Sequence, residues 1–533
     1  MFLRVKRGGN KSHPHDYLQL VESYRDNGRP KQRVLLTLGR LDRLQDSGQI
    51  DRLTDALAKL SLTRRVLDAS RISSCKSKIW GPTLVFERLW REQNLPAILG
   101  RLAEGRKFRF DVERVAFALA LQRLCWPGSD LEGSRWIPGV EAEGFEKIEL
   151  QHLYRAVGFL ADVRRPLEKE LFFHDRDLFS LEIDLLFLDT TSVYTYRQEE
   201  TELRRRGYSR DRRGDLPQMV LCVAVDREGW PIAWEILPGN TADKAAMKKM
   251  VAALRQRFSI RNVVLVADRG MMSQKMVSLL TGDEQAPYDY ILGCKMRRQK
   301  EISEEVLARA GRYRKVAENL EVKEVLVEDR RYVVCRNPQE VAKDAAARAA
   351  MLEKLEDKLS AGPKALMANK GYARFLKVKK SAVEIDPKAV EADQRLDGKF
   401  VLRTSTDLPA EEVALAYKSL WRVERTFREE KSTLEVRPIY HQSDEQCIGH
   451  IVASFLALRL EVDLQQRLSA LEVEASWPQI MSDLEQVQAV HLELDDQSWR
   501  VRTDLCGAAY AAFQAAGVRP PPRVAVLQGS SKT

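Results

Sequence analysis

The chain has 533 residues, 44% hydrophobic and 31% charged, which is enough for two to four domains with substantial cores. Its formal charge of +10 favours a polyanionic partner, and its seven scattered cysteines, with no C-x-x-C pair, argue against a disulfide framework or a zinc site. No signal peptide, no apolar run long enough to span a bilayer and no P-loop, dinucleotide or nucleophile-elbow motif is found, so a cytoplasmic protein with no membrane association is expected and ATPase, dinucleotide and α/β-hydrolase readings lose their usual support.

In chain order, residues 17–25 and 32–38 read as strands around the turn cluster 26–30, and 41–60 reads as a helix. Residues 1–70 are therefore expected to form a small β-hairpin and helix module, which either only packs or binds DNA through Arg4, Lys6, Arg7 and Lys11. Apolar residues then recur at helix spacing from 83 to 178, with Pro82, Pro96, Pro127, Pro138 and Pro166 as punctuation, so 71–180 is expected to be helical. Residues 185–188, 219–225, 232–237, 263–267 and 290–294 read as strands, with a helix over 244–258. Residues 204–213 carry six Arg and one Tyr; such a run is either a solvated loop or a set of phosphate contacts that position rather than read DNA. A strand pair over 320–327 and 331–335, a charged helix over 341–359 and a strand over 400–402 follow. Asp407 is placed as an N-cap ahead of Pro409. Helices are expected over 416–431 and 448–464, while 471–515 fits no single class and 519–533 reads as a frayed, Pro-rich tail.

Three carboxylates carry the chemistry. Asp189 ends the apolar run 185–188 and Asp268 ends the run 263–267, which places both at the carboxyl ends of buried strands. Glu424 lies in AYKSLWRVERTFREEK (416–431), where Tyr417, Glu424 and Lys431 are seven apart and fall within about 20° of one line down a helix. Taken singly, Glu424 is as compatible with an internal ion pair, and each Asp with a turn. Together, three convergent carboxylates share protons or bind divalent cations, and oxygen-only ligands suit Mg²⁺ or Mn²⁺. His441 reads first as structural, and Asp184 and Asp243 as turn or surface residues.

Tyr417, Leu420, Glu424 and Lys431 resemble the Y-(2)-R-(3)-E-(6)-K signature of bacterial insertion-sequence DDE transposases of the insertion-sequence-four-like superfamily, with Leu420 standing in the Arg position. FLDTTS (187–192), LPGNTADK (237–244), VADRGMMS (266–273) and TLEVRPIYH (433–441) are similar to neighbouring blocks of that family, in its order. The resemblance implies an α/β, ribonuclease-H-like catalytic core: a mixed five-stranded sheet with flanking helices, interrupted by an insertion between the second Asp and the Glu, and preceded by a helical, DNA-binding region. On that reading the core spans 181–298 and 399–465, the insertion 299–398, and a C-terminal region with a disordered tail 466–533. Asp189, Asp268 and Glu424 are the implied catalytic residues and hold two Mg²⁺ (or Mn²⁺) ions, with Asp189 bridging. Tyr417 and Lys431 are implied phosphate contacts; with Leu420 in the Arg position one such contact is either lost or supplied by Arg422 or Arg437, although Arg422 points about 200° from Leu420 on a helix. Arg210, Arg212 and Arg213 are assigned to DNA in the basic stretch. Tyr332, Tyr372 and Phe375 in the insertion either pack or stack on a base.

The activity implied is cleavage and strand transfer of an insertion sequence, with element-end inverted repeats and target DNA as partners and a homodimer assembled on DNA. Two other classes stay open: a structure-selective DNA nuclease on the same fold, and a non-catalytic, transposase-derived DNA-binding protein.

Overall fold

The computed structural model describes the chain apart from residues 11–12, 27–28, 61–71, 180–184, 259, 261–262, 269–273, 283–287, 362–372, 380–381, 421–435, 495–496 and 528–533. The chain folds as two compact units. One comprises Met1–Lys76, Val490–Val501 and Val524–Thr533; the other comprises Ser77–Ala489 and Arg502–Arg523.

In the first unit β1 (Phe2–Asn10), β2 (His13–Asp26) and β3 (Arg29–Arg40) form an antiparallel sheet in the order β1-β2-β3. The helices Leu41–Asp46 and Gln49–Leu60 follow β3. The β2–β3 hairpin matches the sequence reading. The strand β1 does not, because FLRVKRGGN lacks clean alternation and ends in the turn-forming pair Gly8-Gly9. A second sheet has the order β18 (Val524–Leu527), β17 (Gln497–Arg502), β16 (Gln488–Leu494), β4 (Ile72–Ile79). The expected frayed tail is thus corrected at residues 524–527, which pair antiparallel with β17.

The second unit is built on a nine-stranded sheet. Its run β9 (Asp289–Gly293), β8 (Val264–Ala267), β5 (Leu185–Tyr194), β6 (Gln218–Val225), β7 (Pro231–Pro238) is mixed: β5 pairs parallel with β8, β8 parallel with β9, and β5-β6-β7 is an antiparallel meander. All eight residues of β6 are buried, and the apolar run Met219–Val225 that follows Gln218 fits a strand covered on both faces. The sheet is wider than the five strands read from the sequence. β15 (Lys399–Thr404) pairs antiparallel with β9, and β10 (Arg314–Ala317), β11 (Leu320–Val327) and β12 (Arg330–Arg336) continue outward from it. An edge strand leaves a row of unpaired backbone groups, so β9 accepts a further strand and the extra ladders follow. Between β12 and β15 lie the helix Pro338–Ala361, the hairpin β13 (Leu376–Lys379) and β14 (Ala382–Ile385), and the helix Pro387–Gln394. This hairpin and helix enclose a small separate core at Leu355 and Phe375.

Helices fill the rest. Val112–Cys125 is capped by Asp111, which accepts from the N–H groups of Glu113 and Arg114 at 3.1 and 3.2 Å. Asp444–Ala470 is capped by Ser443, and 18 of its residues are buried, so it forms an interior strut rather than a surface helix, with charged residues buried among the apolar ones. Its buried Arg459 forms a bidentate pair with Asp175 of the helix Leu150–Phe179, at 2.9 and 3.0 Å. One continuous apolar core joins these helices to the sheet.

Candidate active site

Asp189 and Asp268 come together because of register. In the parallel β5–β8 pair, Leu188 lies opposite Ala267, so the next residues, Asp189 and Asp268, are neighbours across the ladder. Opposed residues in a ladder share a face, and neighbouring strands lie about 4.8 Å apart, so both carboxylates project from the same side of the sheet. The Asp189 carboxyl is pushed up to about 6, chiefly by burial; Arg210 and the Thr190 N–H oppose the shift, while Asp268 and Asp243 add to it.

Asp243 is the site residue that sequence reasoning missed. It opens the helix Asp243–Phe258 and accepts from the Thr190 hydroxyl at 2.7 Å. LPGNTADK reads locally as a turn into a helix, and only the packing of that helix on the sheet brings Asp243 beside the residue that follows Asp189.

Arg210 reaches the same point. Its guanidinium donates to the Thr190 hydroxyl at 2.7 Å and to the Thr190 carbonyl, and stands 3.4 Å from both Asp189 and Asp243. The loop carrying it is held by close backbone contact. A Cβ on Gly239 would meet the Gln218 carbonyl at 2.0 Å and the Arg205 carbonyl at 2.2 Å, and one on Gly207 would meet the Gly239 carbonyl at 2.2 Å. The Gln218 amide completes the clamp by donating to the carbonyls of Tyr208 and Gly239 at 3.0 and 2.9 Å.

The other expected DNA contacts are differently engaged. Arg213 is exposed, pairs with Asp215 at 2.9 Å and lies over the Tyr194 ring; Arg437 pairs with Asp211 and lies over the same ring at 5.9 Å. Arg212 is exposed at the loop tip with φ of 59°. Arg204, from the same basic stretch, is buried against Asp444 and the Gln442 carbonyl and has no path to a phosphate. Tyr332 and Phe375 are buried and pack, while Tyr372 lies outside the described residues.

Tyr417 donates its hydroxyl to Asp268 at 2.9 Å. It therefore meets the proposed metal-holding carboxylate directly, and that contact fixes the Asp268 orientation. One reading of this segment is corrected. The helix Ala410–Lys418 has Pro409, not Asp407, at its N-cap, with no side-chain cap. It ends at Lys418, where Ser419 caps it: its N–H meets the carbonyls of Leu415 and Ala416 and its hydroxyl the carbonyl of Leu415; the rest of the helix expected over 416–431 lies, from residue 421 on, outside the described residues. Leu420 is buried in the core, so the position that holds Arg in the signature serves packing here. Glu424, Arg422 and Lys431 lie outside the described residues.

A second titratable cluster, Asp130, His441 and His450, is buried in the helical core. Arg123 donates to Asp130 at 2.9 Å and meets His450 Nδ1 at 3.0 Å, while His450 Nε2 meets the Val436 carbonyl. The guanidinium already supplies the positive charge that a metal would bring, and His441 is structural.

The family described as "Transposase DDE domain" matches residues 180–460, more than half of the chain. The chain belongs to the DDE transposase family. The family described as "IS1634 family transposase, N-terminal domain" matches residues 3–65, so the family is that of bacterial insertion-sequence DDE transposases. The matched DDE domain takes in Asp189, Asp243, Asp268, Tyr417 and Glu424. No curated protein matches. Among solved structures, "Mos1 transposase paired-end complex with left transposon end" is similar at 13% identity and a TM-score of 0.15, over 35% of this chain and 60% of that one. The chain thus spans less than two thirds of the length of that structure's chain. Among the described residues, no helix is long and apolar enough to cross a membrane.

Proposed function

We propose that this DDE-family chain cuts and joins DNA as an insertion-sequence transposase, with Asp189, Asp268 and Glu424 as the catalytic carboxylates. The observation that carries the reading is the Asp189–Asp268 pair: Asp189 lies inside β5, just where its parallel pairing with β8 stops, Asp268 directly follows β8, and the Asp189 carboxyl is pushed up to about 6. The run β9-β8-β5-β6-β7, three antiparallel strands leading into two parallel ones, supports a ribonuclease-H-like core. The strands and helices between Asp268 and Glu424 would be its insertion, and the helical region before residue 181 would meet DNA.

The donor set fits divalent ions. Asp189 and Asp268 offer only oxygen, and a cation would stabilise the Asp189 carboxylate, which burial chiefly disfavours and Asp268 and Asp243 disfavour further. Mg²⁺ or Mn²⁺ bound there, as two ions held by Asp189, Asp268 and Glu424, would stabilise the attacking and leaving oxygens of an in-line displacement at phosphorus. The chain's own groups prepare that step. Tyr417 holds Asp268 in one orientation. Arg210, on its clamped loop, neutralises Asp189 and Asp243 and is within reach of a phosphate that displaces it. Arg212, Arg213, Arg437 and Lys431 would meet flanking phosphates. The partners are element-end repeats and target DNA, bound by a homodimer in the cytoplasm.

The test is a supercoiled plasmid carrying the gene with its native flanks, incubated with the protein and Mn²⁺ or Mg²⁺. Nicks leaving 3′-hydroxyl ends at two inverted repeats, followed by joined products, are expected. Asp189→Asn, Asp268→Asn and Glu424→Gln should each lower the rate by roughly a thousandfold or more while leaving DNA binding in place. Cuts at no fixed position would replace the transposase with a nuclease, and binding without cutting would favour a non-catalytic DNA-binding protein.

A further inference from the structure

On the Asp268 side of the site, away from the Arg-rich loop, a cleft of about 610 Å³ opens between the C-terminal end of β9 and the start of β15. Among the described residues four cations line it, Lys295, Arg297, Arg298 and Lys399, with Asp268 as the one carboxylate. Two of the four are committed: Arg297 pairs with Asp393 at 2.9 Å, and Lys399 Nζ donates to the Arg395 carbonyl at 2.8 Å. Lys295 and Arg298 meet no carboxylate among the described residues, and both sit on a closed turn in which the N–H groups of Arg298 and Gln299 bond the Lys295 carbonyl and the Lys295 N–H bonds the Gln299 amide. The opposite wall is aromatic: Phe400 stacks on Tyr417 with ring centroids 5.7 Å apart, and that same Tyr417 holds Asp268.

We infer that this cleft is a binding track for one unpaired DNA strand, with Lys295 and Arg298 on consecutive phosphates and the Phe400–Tyr417 face against the sugar and base. The inference rests on the DNA reading above. Two unmatched cations beside an acidic floor suit a spaced polyanion, which can meet the cations while keeping its phosphates off Asp268; a compact anion would face both at once. Cations combined with an aromatic platform are what single-strand recognition uses. The width also selects. A cleft of this volume holds one or two nucleotides, not a duplex.

The test measures fluorescence anisotropy of the full chain with a labelled single-stranded deoxyoligonucleotide of about 12 nucleotides and with the matching duplex, at several salt concentrations and without catalytic metal. For the Lys295→Gln/Arg298→Gln double variant the slope of log affinity against log salt on the single strand should fall by about 1.4, since each phosphate contact on a single strand contributes about 0.7. Single-strand affinity should drop roughly tenfold or more, with a smaller change on the duplex and an unchanged melting temperature. A merely structural role would leave the slope alone. In a parallel experiment, a strand carrying 5-iododeoxyuridine should photocrosslink to the peptide containing Phe400 or Tyr417. An unchanged slope, or crosslinks confined to the Arg205–Arg213 loop, would overturn the proposal. Because binding is read without cleavage, these outcomes are separate from failure of the transposase reading, which the plasmid assay reports.

Discussion

Asp189 illustrates how far a single residue's energetics can be followed. Burial raises its carboxyl from 3.8 to about 6, so the folded, metal-free chain holds a proton that the unfolded chain has already lost. For a raised carboxyl, stability from this group is greatest below about pH 4 and is lost as pH rises through about 6. Asp189→Asn removes that loss. Melting in EDTA at a series of pH values should therefore show the variant gaining on the wild type between pH 4 and 7, by on the order of 2–3 kcal/mol, while its cleavage is abolished. A constant difference across that range would mean that the charge is already neutralised. Tyr417→Phe isolates the next contact. It keeps the ring that stacks on Phe400 and deletes only the hydroxyl on Asp268. Calorimetric titration with Mn²⁺ should show roughly tenfold weaker binding, in the range seen when an outer-shell partner of a metal ligand is removed. Affinity equal to the wild type would return Tyr417 to a phosphate-contacting role.

At the scale of elements, the site depends on a loop pressed against a turn. Gly207 and Gly239 permit backbone contacts that no side chain allows, and the result is that Arg210 arrives at Asp189. Gly239→Ala forces the two segments apart. It should destabilise the protein by on the order of 2–4 kcal/mol in denaturant titration and lower cleavage even where the protein remains folded. Arg210→Ala at an intact Gly239 separates the contributions: abolished cleavage with unchanged stability locates the effect in the guanidinium. The interior helix Asp444–Ala470 plays a different part. Its buried apolar residues and the Arg459–Asp175 pair tie the helical layer together; the sequence reads it as an amphipathic helix, and packing decided that it is buried on nearly every side.

At the scale of the whole molecule, the first unit is assembled from segments far apart in sequence. Residues 524–527 close one edge of a sheet whose other members come from residues 72–79 and 488–502. Removing residues 524–533 leaves the outer edge of β17 unpaired. Amide exchange over Ser498–Val501 should quicken markedly, with β5, β6 and β8 amides unaffected. Slow exchange at β17 in the truncated chain would show that another segment takes over the edge.

Much of this was written in the sequence. Continuous apolar runs read as buried strands, so β5 to β9, and Asp268 just after β8, were legible from the residues; Asp189, expected to end its strand, instead lies inside β5, because residues 190–194 continue the pairing with β6. The helices from 83 to 178 were legible too, because 3.6-residue periodicity is a local property. What the sequence could not decide was partnership. Whether β9 ends the sheet or carries four more strands, whether Asp243 is a turn residue or a neighbour of Asp189, whether Arg204 faces a phosphate or Asp444, and whether Tyr417 meets DNA or Asp268 all depend on contacts between residues tens or hundreds of positions apart. Hydrogen-bonding edges and charges carry no label for their distant partners; packing of the whole chain chooses them.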